Sequence, residues 1–129
     1  MCFNWEMLNT LKRKDEWSLE EIERLAKELP HLYQLTLSGG EPLLRKDLAD
    51  VIAIFYRISG LRRVTVATNG YYTDRVESLI HRVMAECPEL KLSINMSIDG
   101  LFEEHDKIRG LDGSFEKLVN TYNVVSELQ

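Results

Sequence analysis

Apolar and polar positions follow two rhythms along this chain. Four stretches repeat apolar residues every three to four positions, the period of a helix with one buried face. In "SLEEIERLAKEL", residues 18–29, Leu19, Ile22, Leu25, Ala26 and Leu29 form one stripe. Ser18 followed by Glu21 is a capping box at its start, and Pro30 ends it. A second stretch runs from about Lys46 to Ile58, with Leu48, Val51, Ile52 and Phe55 inward and Gly60 just beyond. A third starts at Thr73 or Asp74, carries Val76, Leu79, Ile80, Val83 and Met84 on one face, and ends before Pro88. A fourth begins after Ser114 and turns Phe115, Leu118, Val119, Tyr122 and Val125 to one side.

Between these lie β-rich runs with period two: "QLTLS" (34–38), "RVTVAT" (63–68) and "KLSINMSID" (91–99). Leu35, Val64 and Leu92 hold equivalent places, so the unit repeats after 29 and then 28 residues. Strands alternating with helices at this spacing predict a parallel sheet with right-handed crossovers. One strand face carries Leu35, Leu37, Val64, Val66, Leu92, Ile94, Met96 and Ile98. The other carries Thr36, Ser38, Thr65, Ala67, Ser93, Asn95, Ser97 and Asp99. A sheet covered on both sides reads as continuous apolar runs, and a closed barrel fills its interior with bulky branched residues. A small, polar second face suits helices on one side and a hollow, ligand-lined concave side. The expected fold is therefore α/β, with parallel βα repeats forming part of a (β/α)6 partial TIM-like barrel. It has three strands and four helices in a single domain over residues 1–129. The alternative is a solvated sheet face in an α/β layer fold.

Composition adds bounds. The chain has 129 residues, 44% hydrophobic and 29% charged, with a formal net charge of -5. This is ordinary globular composition for one small domain. The acidic balance argues against a nucleic-acid surface, and "LKRK" at 11–14 is the only basic cluster. No apolar run approaches the ~20 residues of a membrane span, and no secretory signal is visible. Two cysteines 85 positions apart do not make a disulfide framework, so a cytoplasmic setting is the expectation.

Ligands in parallel α/β proteins bind beyond the C-terminal ends of the strands. After the first strand comes "SGGEPLLR", 38–45. Its glycines let the backbone approach a ligand and offer carbonyls to an ammonium group. Glu41 adds a negative charge beside them, so Ser38, Gly39, Gly40 and Glu41 suit a cation better than a phosphate. After the second strand comes "TNGY", 68–71, where Asn69 is a candidate contact and Asn-Gly is equally a plain turn signal. After the third come "SIDG", 97–100, and a loop "EEHDKIRG", 103–110. The Ser97 hydroxyl and the Arg109 guanidinium, reaching one place, would bind a carboxylate. The alternative for Arg109 is a surface ion pair with Glu103, Glu104 or Asp106. Together the strand ends have the polarity of an amino acid attached to a nucleoside.

"LSGGEPLLR", "VATNGY", "LSINMSIDG" and "HDKIRG", in this order and spacing, resemble the radical S-adenosylmethionine enzymes. They are most similar to the branch that includes sulfatase-maturing and peptide-modifying maturases and the molybdopterin-precursor cyclases. The resemblance covers nearly the whole chain. It implies a [4Fe–4S] cluster held by the three thiolates of a C-x-x-x-C-x-x-C motif, with S-adenosylmethionine chelating the remaining iron. It also implies reductive cleavage to a 5′-deoxyadenosyl radical. By the resemblance Cys2, in "MCFNW", aligns with the third cluster ligand. The backbone of Gly39–Glu41 would hold the methionyl amino group and Ser97 with Arg109 the carboxylate. Asn69 and Asp99 would make ribose or strand-end contacts.

Aligned this way, the chain lacks the first strand and the first two cysteines. Taken alone it is expected to hold no stable cluster, to bind the nucleotide weakly and to be inactive, with no catalytic residue of its own. Cys87 matches no ligand position, His31 and His81 fall on the opposite end or outer face, and His105 reads as structural. Strands "QLTLS" and "KLSINMSID" are left as edges, so a homo-oligomer through exposed strand edges is expected. The substrate, small molecule or peptide, is not legible. Two other readings stay open: a non-catalytic binding or scaffold module without its cluster, and an ordinary α/β enzyme whose turns mimic these motifs.

Overall fold

The repeat of pattern is a repeat of structure. The computed structural model describes residues 16–128, so Cys2 and the "LKRK" cluster lie outside the described residues. In chain order the elements are α1 (Leu19–Glu28), β1 (Gln34–Leu37), a 3-10 turn (Pro42–Leu44), α2 (Leu48–Ser59), β2 (Arg63–Thr68), α3 (Thr73–Glu86), β3 (Lys91–Met96), α4 (Glu103–Arg109) and α5 (Ser114–Glu127). The strands form one parallel sheet in the order β1-β2-β3. Leu35 pairs with Val64 and Val64 with Leu92, the equivalence that the spacing predicted.

The capping box forms at α1: Glu21 N–H donates to Ser18 Oγ at 3.3 Å, and Ser18 N–H donates to Glu21 Oε2 at 2.8 Å. Helix α2 lies between α1 and α3 and is buried nearly all round, from Leu48 and Ala49 through Ile54 and Phe55. Ser59 Oγ donates to the Ala26 carbonyl at 2.8 Å and pins α2 to α1. Val64 and Val66, at 0% exposure, mark the centre of the core, with Leu35, Leu37, Leu92, Ile94 and Met96 half-buried beside them. On the opposite sheet face Thr36, Ser38, Ser93, Asn95, Ser97 and Asp99 are exposed. The fold is α/β, and its one-sided sheet fits a partial TIM-like barrel.

Two expectations need correction. The segment after β3 is not a loop: Glu103–Arg109 is a short helix, α4, closed by Gly110 in the left-handed conformation (φ 66°). The described residues therefore hold five α-helices, not four. Glu103, Glu104 and Asp106 at its start and Lys107 and Arg109 at its end complement the helix dipole. With a single buried residue, His105, it has no apolar stripe to betray it. In α5, Val119 and Tyr122 face solvent, Tyr122 at 60% exposure, and the inward face is Ser114, Leu118, Thr121 and Val125. Thr121 turns the helix, because its Oγ1 donates to the Gly70 carbonyl at 2.6 Å. Among the described residues no helix is long and apolar enough to cross a membrane.

Candidate functional site at the strand ends

The C-terminal end of β1 runs into Gly39, whose φ of +148° only glycine takes without strain. A Cβ there would meet no described residue within 4 Å. Glu41 then caps the 3-10 turn, and its carboxylate reaches across to β2. Oε1 accepts from Thr68 Oγ1 at 2.9 Å and from Leu43 N at 3.2 Å; Oε2 accepts from Asn69 N at 2.8 Å. The negative charge expected beside the glycines is thus anchored by three neutral donors. The Glu41 carboxylate braces two strand ends.

Asn69 follows the turn reading. Its Oδ1 accepts from Tyr71 N at 2.9 Å, an Asx turn, and Gly70 at φ 75° lets Leu118 of α5 approach to 3.1 Å from where a Cβ would stand.

Beyond β3 the "HDKIRG" residues form a clip. Arg109 lies at the strand end, not among the surface acids that were the alternative. Its Nε meets Asp99 Oδ2 at 2.6 Å and its Nη2 donates to the Ser97 carbonyl at 3.1 Å. The Arg109 side chain is only 16% exposed. His105, fully enclosed, accepts from the Asp99 N–H through Nδ1 at 3.2 Å and packs edge-on against Phe115. Asp106 accepts from Phe115 N, Ser114 Oγ and Gly113 N at 2.7–2.8 Å, tying α4 to the start of α5. Those donors, Phe115 N–H foremost, hold the Asp106 carboxyl below the ordinary carboxylate range. The Ser97 hydroxyl makes no hydrogen bond to another described residue and stays on the exposed face. The structure therefore gathers Ser97, Asp99 and Arg109 at one strand end and Ser38 to Glu41 with Asn69 at the other two.

Thr68 and Asp106 are site-building residues that the sequence does not mark, whereas His105 has the structural place expected of it. Thr68 looks like any strand residue, and Asp106 is one of three acids in a seven-residue segment.

Among the described residues no three of His, Cys, Asp and Glu converge to hold a metal. Cys87 caps the far end of α3 at 1% exposure, and burial pushes its thiol up, away from the thiolate that iron requires.

A large cavity, about 320 Å³, opens on the helical side between α2 and α3. Its arginines are already engaged: Arg45 with Asp47, Arg82 with Asp50, and Arg75 with the Leu43 carbonyl.

The family model described as "Radical SAM superfamily" matches residues 1–129. The chain is 38% identical over 107 residues to the Fe-coproporphyrin III synthase of Methanosarcina barkeri, covering 80% of this chain and 25% of that protein. It is 31% identical over 118 residues to the GTP 3',8-cyclase of Haemophilus influenzae, covering 86% and 35%. The same enzyme of Cronobacter sakazakii is 33% identical over 113 residues, covering 77% and 32%. The chain thus spans a quarter to a third of the length of the curated relatives it matches.

Proposed function

Because the chain belongs to the radical SAM superfamily, we propose that it is the part of such an enzyme that holds the amino-acid end of S-adenosylmethionine. The observation that carries this is the arrangement of the strand ends. The glycine loop after β1 and the Ser97–Arg109 pair after β3 lie at the same end of one parallel sheet, beside its exposed polar face. Ammonium and carboxylate groups on one carbon need such opposed partners. Gly39 and Gly40 present carbonyls to the amino group. The Ser97 hydroxyl donates to the carboxylate. Arg109 adds positive potential while it positions Asp99, and Asp99 and Asn69 edge the ribose side.

The cluster supplies the electron for reductive cleavage when it is bound, and three thiolates must hold it. The chain contains two cysteines, and the described one is in the core. No step through the cluster is therefore assigned to these residues, and by itself the chain is proposed to be inactive. The relatives' names give different reactions, one making Fe-coproporphyrin III and the other cyclising GTP, so what is carried over is the shared nucleotide cofactor alone. A cytoplasmic, reducing setting is part of the proposal, as an oxygen-sensitive cluster and a free Cys87 both suit it.

Calorimetric titration of the chain with S-adenosylmethionine tests the reading. We expect weak binding, abolished in Gly39→Val and unchanged in Tyr122→Ala on the outer face. Equal binding by Gly39→Val, or none by the wild type at millimolar ligand, refutes it and favours a module that no longer binds the nucleotide. Anaerobic reconstitution with iron and sulfide should give substoichiometric iron that is identical in Cys87→Ser. A stoichiometric cluster would overturn the inactivity.

A further inference from the structure

The ladder between β2 and β3 advances by a regular step. Lys91 N donates to Arg62 O at 3.0 Å, and Ser97 N donates to Thr68 O at 3.0 Å. The register that pairs Thr68 with Met96 carries forward in the same step, because bonds in a parallel pair are evenly spaced. The next two bonds would join Gly70 N–H to Ser97 O and Asp99 N–H to Gly70 O. Gly70 makes neither. At φ 75° it is where β2 turns away, and its backbone groups are engaged elsewhere. Its N–H donates to Thr68 Oγ1 at 3.1 Å, and its carbonyl accepts from Thr121 Oγ1 at 2.6 Å. Ser97 O and Asp99 N–H are thus left without a strand partner, at the height of the candidate site, and each needs one from elsewhere.

Helix α4 supplies what β2 does not. Arg109 Nη2 donates to Ser97 O at 3.1 Å, in the place of Gly70 N–H. His105 Nδ1 accepts from Asp99 N–H at 3.2 Å, in the place of Gly70 O. The two residues are four apart and share one helix face. Arg109 Nε also holds the Asp99 carboxylate at 2.6 Å. One face of α4 therefore continues the ladder with side chains, past the last residue that β2 can reach.

We propose that His105 is a positioning residue for the ligand's carboxylate: it replaces the lost strand carbonyl and so fixes the height and direction of Ser97 and Asp99. The proposal rests on the reading of Ser97 and Arg109 as the carboxylate-binding pair. Its chemistry is specific. A ring nitrogen that accepts from an amide carries no proton, so His105 is neutral with its proton on Nε2. In the charged form or the other tautomer it would set N–H against N–H. The ring is enclosed at 1% exposure, edge-on to Phe115 with centroids 5.9 Å apart, which holds it in that pose.

Two variants separate this role from packing alone. His105→Asn keeps an acceptor, Oδ1, where Nδ1 stands; His105→Leu keeps bulk and removes the acceptor. Circular dichroism checks both folds. In amide hydrogen exchange His105→Leu should speed Asp99 by roughly tenfold and leave Ser97, bonded to Thr68 O, unchanged. His105→Asn should protect both. Calorimetric titration should show S-adenosylmethionine bound roughly tenfold more weakly by His105→Leu and near wild type by His105→Asn. Long-range nitrogen-15 spectra of the wild type should show the neutral Nε2–H tautomer, a readout that needs neither a variant nor a ligand. Unchanged Asp99 exchange or unchanged binding in His105→Leu, equal loss in both variants, or a ring protonated at Nδ1 overturns the proposal and leaves the cofactor reading standing. No binding by the wild type at millimolar ligand overturns the cofactor reading, and this proposal with it.

Discussion

Thr68 at the end of β2 donates its hydroxyl to Glu41 Oε1 at 2.9 Å, across 27 residues of chain. With the Asn69 N–H on the other oxygen, this one carboxylate fixes the β1 loop against the β2 turn. The glycine backbone in front of the sheet is held in place from behind.

Glu41→Gln should therefore lower stability. An amide presents N–H₂ to a site built of donors, leaving one of them unpaired at a cost of about 1–3 kcal/mol. Thr68→Val should cost about 1 kcal/mol. In urea titrations the double variant should fall short of the sum, because both changes remove one shared contact. Additivity would show that the bond contributes nothing.

The Asp106 carboxylate predicts a pH dependence. Its folded-state pKa is depressed, so its contribution is present above the ordinary carboxylate value near ~4 and is lost as pH falls through the lower, folded value. Asp106→Asn puts a donor against Gly113 N–H or Phe115 N–H and should melt a few degrees lower at pH 7. The gap between the two proteins should narrow as pH falls from about 5 toward 2. A gap constant over that range would mean that the charge plays no part.

Arg109→Lys keeps the charge but cannot reach Asp99 and the Ser97 carbonyl together, since the ammonium lacks the guanidinium fork. We expect a loss of about 1 kcal/mol and a weaker hold on S-adenosylmethionine than in the wild type. Binding and stability both equal to wild type would place Arg109 outside the site.

Cys87 should behave as a core residue. In a Cys2→Ser background the native chain should leave a thiol reagent unconsumed at pH 7.5 over minutes, then take up one equivalent in urea. Burial both excludes the reagent and disfavours the thiolate. Fast reaction in the native state would show that this end of α3 opens.

Much of the fold was legible in the sequence, because its signals are local and periodic. The 29- and 28-residue spacing of Leu35, Val64 and Leu92 is the strand register itself. The capping box at Ser18 and the polar strand face of Ser93, Asn95 and Ser97 depend only on near neighbours and on alternation. The placing of Gly39, Ser97 and Arg109 at strand ends followed from order along a parallel sheet. What the tertiary structure decided were the partners. That Glu41 turns to Thr68, that Thr121 reaches Gly70, and that His105 is enclosed under Asp99 are contacts between distant stretches. Helix α4 has too few buried residues to show a period. A single polar side chain carries no pattern, and its role is set by the donor or acceptor that folding brings within 3 Å of it.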